Sequence, residues 1–476
     1  MSQLPPALAG RSLAVLLVAS VSAWAKPPAT AVFCAKYPTA PSCVGALPAC
    51  TLCHVAAPQR NAFGAAIEAN LAPGAARPLS DGDFSMALPG ALAAVEAADS
   101  DGDMVSNLVE IQRGTLPADS NSFPRDIPCA GGANPQYKVC QYDLRYVYRK
   151  VLLDFCGYSP TYALMRTFQA LATDELKRTF LDQELDRCLA TDFWRGKNGV
   201  LWKLAHPKIR PVGSLKSGED QGQIPLADYY DDYALFAYAH TDDHDVRSVL
   251  TADFFVQRSG SNPTIYTSVP TLPTQAIDQA HRAGNMTSSW TLVYFVMFTA
   301  LPRNAASQMY RGYLGLDIAK QEGIYSVANE PRDFDAKGVQ AAACAACHAT
   351  LDPLSYPYRN YNGLTGNGNQ FGRYVPNRLE TLFSNQGATL AMTPESGVIF
   401  GQPVSSLMQW AQVAANSDAF LRATVTDYWR LLLGHPPRPE ENAQFVALWQ
   451  ALKTTHNYRV RPMLHELIRT EAYGAP

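Results

Sequence analysis

Cys344-Ala345-Ala346-Cys347-His348-Ala349-Thr350-Leu351-Asp352-Pro353 is the stretch on which the reading of this chain turns. Two thiols separated by two residues, with an imidazole directly after the second, match the chemistry of covalent haem attachment. Each thiol adds across one vinyl group, sulfur bonding one carbon while the proton goes to the other. The imidazole then offers a nitrogen to iron. The same pattern stands far upstream as Cys50-Thr51-Leu52-Cys53-His54. With 10 Cys and 9 His among 476 residues, one copy by chance would be unusual and two far more so. The sequence implies two covalent haem c groups, held by Cys50, Cys53 and His54 and by Cys344, Cys347 and His348. Two other readings compete. In one, the Cys pairs bind zinc, pooled as four sulfurs or joined by distant ligands; in the other they are redox-active dithiols. An oxidising compartment and the His that ends each motif weigh against zinc. No thioredoxin-like strand–helix pattern surrounds either motif.

A sixth protein ligand to iron favours an electron carrier, and an open sixth position favours a catalyst. Met392, in the loop-like Ala388–Pro394 stretch, is the sequence candidate for the second haem, with Met408 and Met286 in competition. Met86 and Met104 are the candidates for the first. For each, ordinary core packing is the alternative. His206, His240, His244, His281, His435, His456 and His465 remain unassigned, and most are expected to be surface or satisfied core histidines.

Downstream of the first motif, Asp99-Ser100-Asp101-Gly102-Asp103-Met104-Val105-Ser106-Asn107-Leu108-Val109-Glu110 spaces oxygen side chains as a calcium loop does. Asp99, Asp101, Asp103, Asn107 and Glu110 are the expected ligands, with the Val105 carbonyl. Met104 departs from the pattern, since it stands where the turn usually takes Gly. A solvated Asp-rich turn leading into a helix near Asn107 is the alternative.

At the N-terminus, Arg11, the apolar run Leu13–Val21 and Ala23-Trp24-Ala25 read as a secretory signal over residues 1–25. The run is short of the ~20 residues a spanning helix needs, and Trp290–Leu301 is too, which suggests a core helix there. A periplasmic or secreted protein without an integral membrane segment is expected. Six cysteines lie outside the motifs, and in an oxidising compartment proximity favours Cys34–Cys43, Cys129–Cys140 and Cys156–Cys188. A net charge of −3, with no basic run, gives no footprint for nucleic acid.

Apolar residues recur at helical spacing from Tyr142 to Leu189, from Ala227 to Phe255 and from Ser405 to Arg469. The fold expected is mainly α and multi-domain, with two small cytochrome c-like haem regions around and within a larger helical body. The divisions are a first haem region over 26–125, a helical region with disulfides over 126–335, a second haem region over 336–404 and a C-terminal helical segment over 405–476. The aromatic run Tyr229, Tyr230, Tyr233, Phe236 and Tyr238 reads first as core packing.

The segment from Cys347 to Tyr361, Cys-His-Ala-Thr-Leu-Asp-Pro-Leu-Ser-Tyr-Pro-Tyr-Arg-Asn-Tyr, resembles the haem signature of the planctomycete-type cytochrome c proteins, a family of uncharacterised function. His281-Arg282-Ala283-Gly284, Arg311-Gly312 and the C-terminal Arg461–Ile468 with Glu471-Ala472-Tyr473 resemble its flanking segments. Ser355 and Arg359 depart from the family's Gly and acidic residue. The N-terminal part is similar to small cytochrome modules that join the haem motif to an Asn-x-Phe-Gly segment, here Asn61-Ala62-Phe63-Gly64, and a calcium-type Asp loop. The resemblance implies a helical, secreted haem c protein and no particular reaction. The function expected is electron transfer to or from a redox partner protein or an extracellular acceptor. The alternative is a haem-dependent peroxidase or oxygenase with one open-site haem; a scaffold with mainly structural haem is a third class.

Overall fold

A computed structural model describes residues 28–475 apart from 46, 57, 104, 121, 123–141, 210–226, 261, 298, 365–370, 377 and 379–391. Helix accounts for 54% and strand for 6%, so the protein is mainly α. Its strands form three antiparallel two-stranded hairpins among the described residues. The chain divides into two compact units, Met1–Cys43 with Leu47–Phe123, and Val44–Ala46 with Pro124–Pro476.

In the first unit, helices Ala29–Lys36, Ala62–Asn70, Asp81–Val95 and Asn107–Arg113 gather around Phe33, Phe63, Ile67, Leu88, Leu92 and Ile111. The helix Asp81–Val95 starts where Ser80 accepts a hydrogen bond from the Asp83 amide, with Asp81 and Asp83 suiting the positive end of the helix dipole. Its buried residues, Leu88, Ala91, Leu92 and Val95, follow the 3.6-residue period and face the core. Gly114, at φ 81°, ends the helix Asn107–Arg113 in the left-handed region that glycine adopts at no steric cost. The Cys34–Cys43 disulfide ties the first helix to the turn after it.

In the second unit one continuous core runs from Val147 to Tyr473, so residues from all three sequence divisions beyond 126 share one interior. The helix Asp418–Leu433 shows why. Ser417 caps it, Gly434 at φ 81° ends it, and it buries Phe420, Leu421, Val425, Tyr428, Trp429 and Leu432 along one stripe. The Cys156–Cys188 disulfide joins the Leu152–Cys156 turn to the helix Asp174–Leu189. Cys129 and Cys140 lie outside the described residues. The apolar run from Trp290 is helical only to Val296, its last turn widened, and Met297 takes φ 50°. The aromatic run belongs to the buried helix Tyr229–Ala239, where Tyr229 packs on Trp202 and Trp290 with ring centroids 5.3 and 5.5 Å apart.

No helix among the described residues is long and apolar enough to cross a membrane. The two disulfides suit an oxidising compartment.

Candidate functional site

The first motif lies on a short turn, Cys50–Leu52, that runs into the strand His54–Ala56 paired with Gln59–Arg60. This turn is held from outside by Asn61. The Asn61 amide donates to the carbonyls of Thr51 at 3.1 Å and Leu52 at 3.0 Å, while its oxygen caps the helix Ala62–Asn70 by accepting from the Gly64 amide at 2.8 Å. The Asn61 backbone N–H donates to the Cys53 carbonyl at 3.1 Å. Gly64 lets the helix pass directly over the motif: a Cβ there would lie 2.0 Å from the Cys53 oxygen. The Asn-x-Phe-Gly segment thus sets the backbone path of the two thiols and the imidazole.

Beside this turn is a cavity of about 170 Å³, partly open to solvent. Cys50, Cys53 and His54 line it together with Phe33, Leu52, Ile67, Leu71, Phe84, Leu88 and Leu92. Its walls are mostly apolar, as those of ligand sites are. Cys50 and Cys53 are unpaired although a disulfide partner is three residues away. Burial, and then the neighbouring Cys50, push the Cys53 thiol up to about 12, which keeps it a neutral thiol at physiological pH. The Nδ1 atom of His54 is buried with no hydrogen-bond partner. Such an orphaned ring nitrogen carries a desolvation cost. These residues fit haem c: two free thiols and an imidazole on the wall of an apolar cavity.

The second motif is built differently. Cys344, Cys347 and His348 fall at i, i+3 and i+4 of the helix Ala342–Ser355 and share one face. Cys344 is exposed, Cys347 partly so, and neither is in a disulfide. His348 Nδ1 lies 2.8 Å from the Asp352 carboxylate. Asp352 is completely buried and is gripped by Arg303, whose Nε and Nη2 donate to its two oxygens at 2.6 and 2.8 Å. The same guanidinium donates to both oxygens of Asp335 at 2.6 and 3.0 Å. Arg303 therefore forks between two buried carboxylates, which hold its proton more firmly than usual although burial opposes its charge. Because the partner of Nδ1 is a carboxylate, Nδ1 carries the hydrogen and Nε2 is the nitrogen left for a metal. This arrangement also fits haem c.

The methionine candidates differ in their surroundings. Met86 is 76% exposed and does not line the first cavity, and Met392 is 71% exposed. Met104 lies outside the described residues. Met286 is fully buried in the large core, and the Met408 sulfur accepts a hydrogen bond from the Tyr361 hydroxyl at 3.5 Å. The remaining histidines have structural partners. His240 sits against the Tyr428 hydroxyl at 2.8 Å, and burial lowers its pKa to about 3. His244 bonds the Tyr238 and Thr241 carbonyls, His281 Asp278, His435 the Pro436 carbonyl and His465 Asp182 with Asp186, while His456 Nε2 lies 3.0 Å from the Glu466 carboxylate and His206 packs edge-on against Trp202.

In the Asp-rich loop, Asp99, Asp101 and Asp103 bring carboxylate oxygens within 4.8 Å of one another. Gly102 supplies the positive φ, 82°, that the turn requires. One oxygen of each Asp accepts a backbone amide, from Gly102, Asp103 and Val105 in turn. The second oxygens of Asp101 and Asp103, with Ser100 Oγ, are buried without partners. Glu110 is also completely buried, its Oε2 unpartnered. Burial, followed by the charges of Asp101 and Asp103, raises its pKa to about 8. Asn107 braces the loop, donating to the Val95 carbonyl at 2.7 Å and accepting from the Ser100 amide at 3.2 Å. The grouped carboxylates of Asp99, Asp101 and Asp103 are the kind of oxygen donors that a hard divalent cation takes.

Sequence reasoning missed Asn61 as the clamp, and it missed Arg303 and Asp335 entirely. The i, i+4 spacing of His348 and Asp352 was the one available signal for the second set. No family model, no curated protein and no solved structure matches the chain.

Proposed function

We propose that this protein is a di-haem c-type cytochrome that transfers electrons outside the cytoplasm, with a redox protein or extracellular acceptor as its partner. The observation that carries the proposal is the apolar cavity whose wall presents Cys50, Cys53 and His54. In this reading Cys50 and Cys53 bind one haem through thioethers and His54 ligates it; Cys344, Cys347 and His348 do the same for the other. A haem so held supplies one-electron exchange, and covalent attachment keeps it from dissociating in a dilute extracellular setting. Asn61 and Gly64 fix the turn at the first motif. Asp352 fixes the tautomer of His348 at the second. The Asp99–Glu110 loop holds calcium and braces the first unit, a role supported by the buried, unpartnered oxygens of Asp101, Asp103 and Glu110.

A haem-dependent oxidoreductase is the second reading, favoured by the buried carboxylate on His348, which strengthens that imidazole as a donor. Absorption and resonance Raman spectra of the reduced protein, with and without carbon monoxide, separate the two. Two low-spin haems indifferent to carbon monoxide support the carrier; a high-spin haem that binds it supports the enzyme.

A further inference from the structure

The two motifs have the same ligands but opposite second partners. His54 Nδ1 is buried with no hydrogen-bond acceptor, whereas His348 Nδ1 donates to a fully buried carboxylate. Behind that carboxylate, one guanidinium is shared by two carboxylates, Asp352 and Asp335, both nearly or wholly inaccessible to water. Two physical effects follow, and both have the same sign. A hydrogen bond from Nδ1–H to a carboxylate makes Nε2 a stronger donor, which favours the more positive oxidation state of a bound iron. One cation between two anions also leaves a net negative charge buried behind the ligand, and in a low-dielectric interior that charge stabilises the oxidised form again. His54 Nδ1 has no carboxylate partner among the described residues.

We infer that Asp352, held by Arg303 and Asp335, is a positioning residue that sets the second haem site to a lower reduction potential than the first. The inference rests on the reading that Cys344, Cys347 and His348 hold a haem.

The test is a spectroelectrochemical titration of the full-length protein at fixed pH, paired with haem staining after denaturation to count attached haems. The unsubstituted chain should show two waves. Asp352→Asn should move the lower wave upward and leave the higher wave in place, with both haems still attached. Asp335→Asn leaves the His348–Asp352 bond standing but removes one buried charge, so it should move the same wave upward by less. It also serves if Asp352→Asn does not fold. Asp352→Glu, which keeps the carboxylate, should restore part of the shift, an outcome that loss of packing alone would not produce. With both haems retained, an unmoved or lowered wave in Asp352→Asn and in Asp335→Asn would overturn the inference. If the unsubstituted chain carries no haem on Cys344 and Cys347, the underlying reading itself fails, and the stain shows this before any potential is measured.

Discussion

Replacing Asn61 with Ala removes every side-chain bond that holds the first motif to the helix behind it. The lost cap on the Gly64 amide costs about 1 kcal/mol. The two donated bonds, to Thr51 and Leu52, contribute about 1 kcal/mol each at most, and the Thr51 carbonyl recovers some of its share because that bond is exposed. The expected loss is about 2–3 kcal/mol for opening the segment around the motif. Hydrogen exchange measured by mass spectrometry on peptides covering residues 50–70 reads this locally. At about 1.4 kcal/mol per tenfold, amide exchange there should accelerate by about 30- to 150-fold, while peptides from the second unit stay unchanged. Asn61→Asp keeps the cap acceptor and loses the donor, so it should show roughly half the free-energy loss. Exchange in Asn61→Ala within about threefold of the unsubstituted protein would refute the clamp.

Gly64→Ala should be more damaging than Asn61→Ala, because its Cβ would meet the Cys53 oxygen at 2.0 Å; calorimetry should show the first unit's transition lowered or absent. Calcium at about a hundredfold above its Kd should raise the melting temperature of the first unit by about 10 °C, and Glu110→Gln should remove most of that rise. Burial raises the Asp232 carboxyl to about 8, so it is neutral when folded and ionises near pH 4 when unfolded. The unfolded chain then binds fewer protons between these values, and this group makes stability fall as pH rises from about 4 to about 8, by up to about 1.4 kcal/mol per pH unit. Urea unfolding followed by tryptophan fluorescence at pH 5 and pH 8 should show that decline, and Asp232→Asn should flatten it.

The helical character and the two thiol–imidazole motifs were legible because both are local. Periodicity marks Leu88, Leu92 and Val95 as one buried face, and the motif needs only five consecutive residues. Proximity paired Cys34 with Cys43 and Cys156 with Cys188, since short loops close readily. Nearness in sequence nominated Met86, which lies off the face that its helix buries and is exposed. Arg303 and Asp335 could not be read from the sequence, because they reach the second motif only through folding. An Arg 49 residues before Asp352 has no distinguishing spacing. Asp352 itself was legible as part of a motif, yet its task appears only once His348 is seen on the same helix face, bonded to it.

The central claim is that both Cys pairs carry haem, and the most direct measurement is the intact mass and haem content of the mature protein after denaturation. Two covalently retained haem equivalents per chain, falling to one in Cys344→Ala/Cys347→Ala, is the result the account predicts. A chain with four free motif thiols, or one that loses all iron and haem on denaturation, would contradict it.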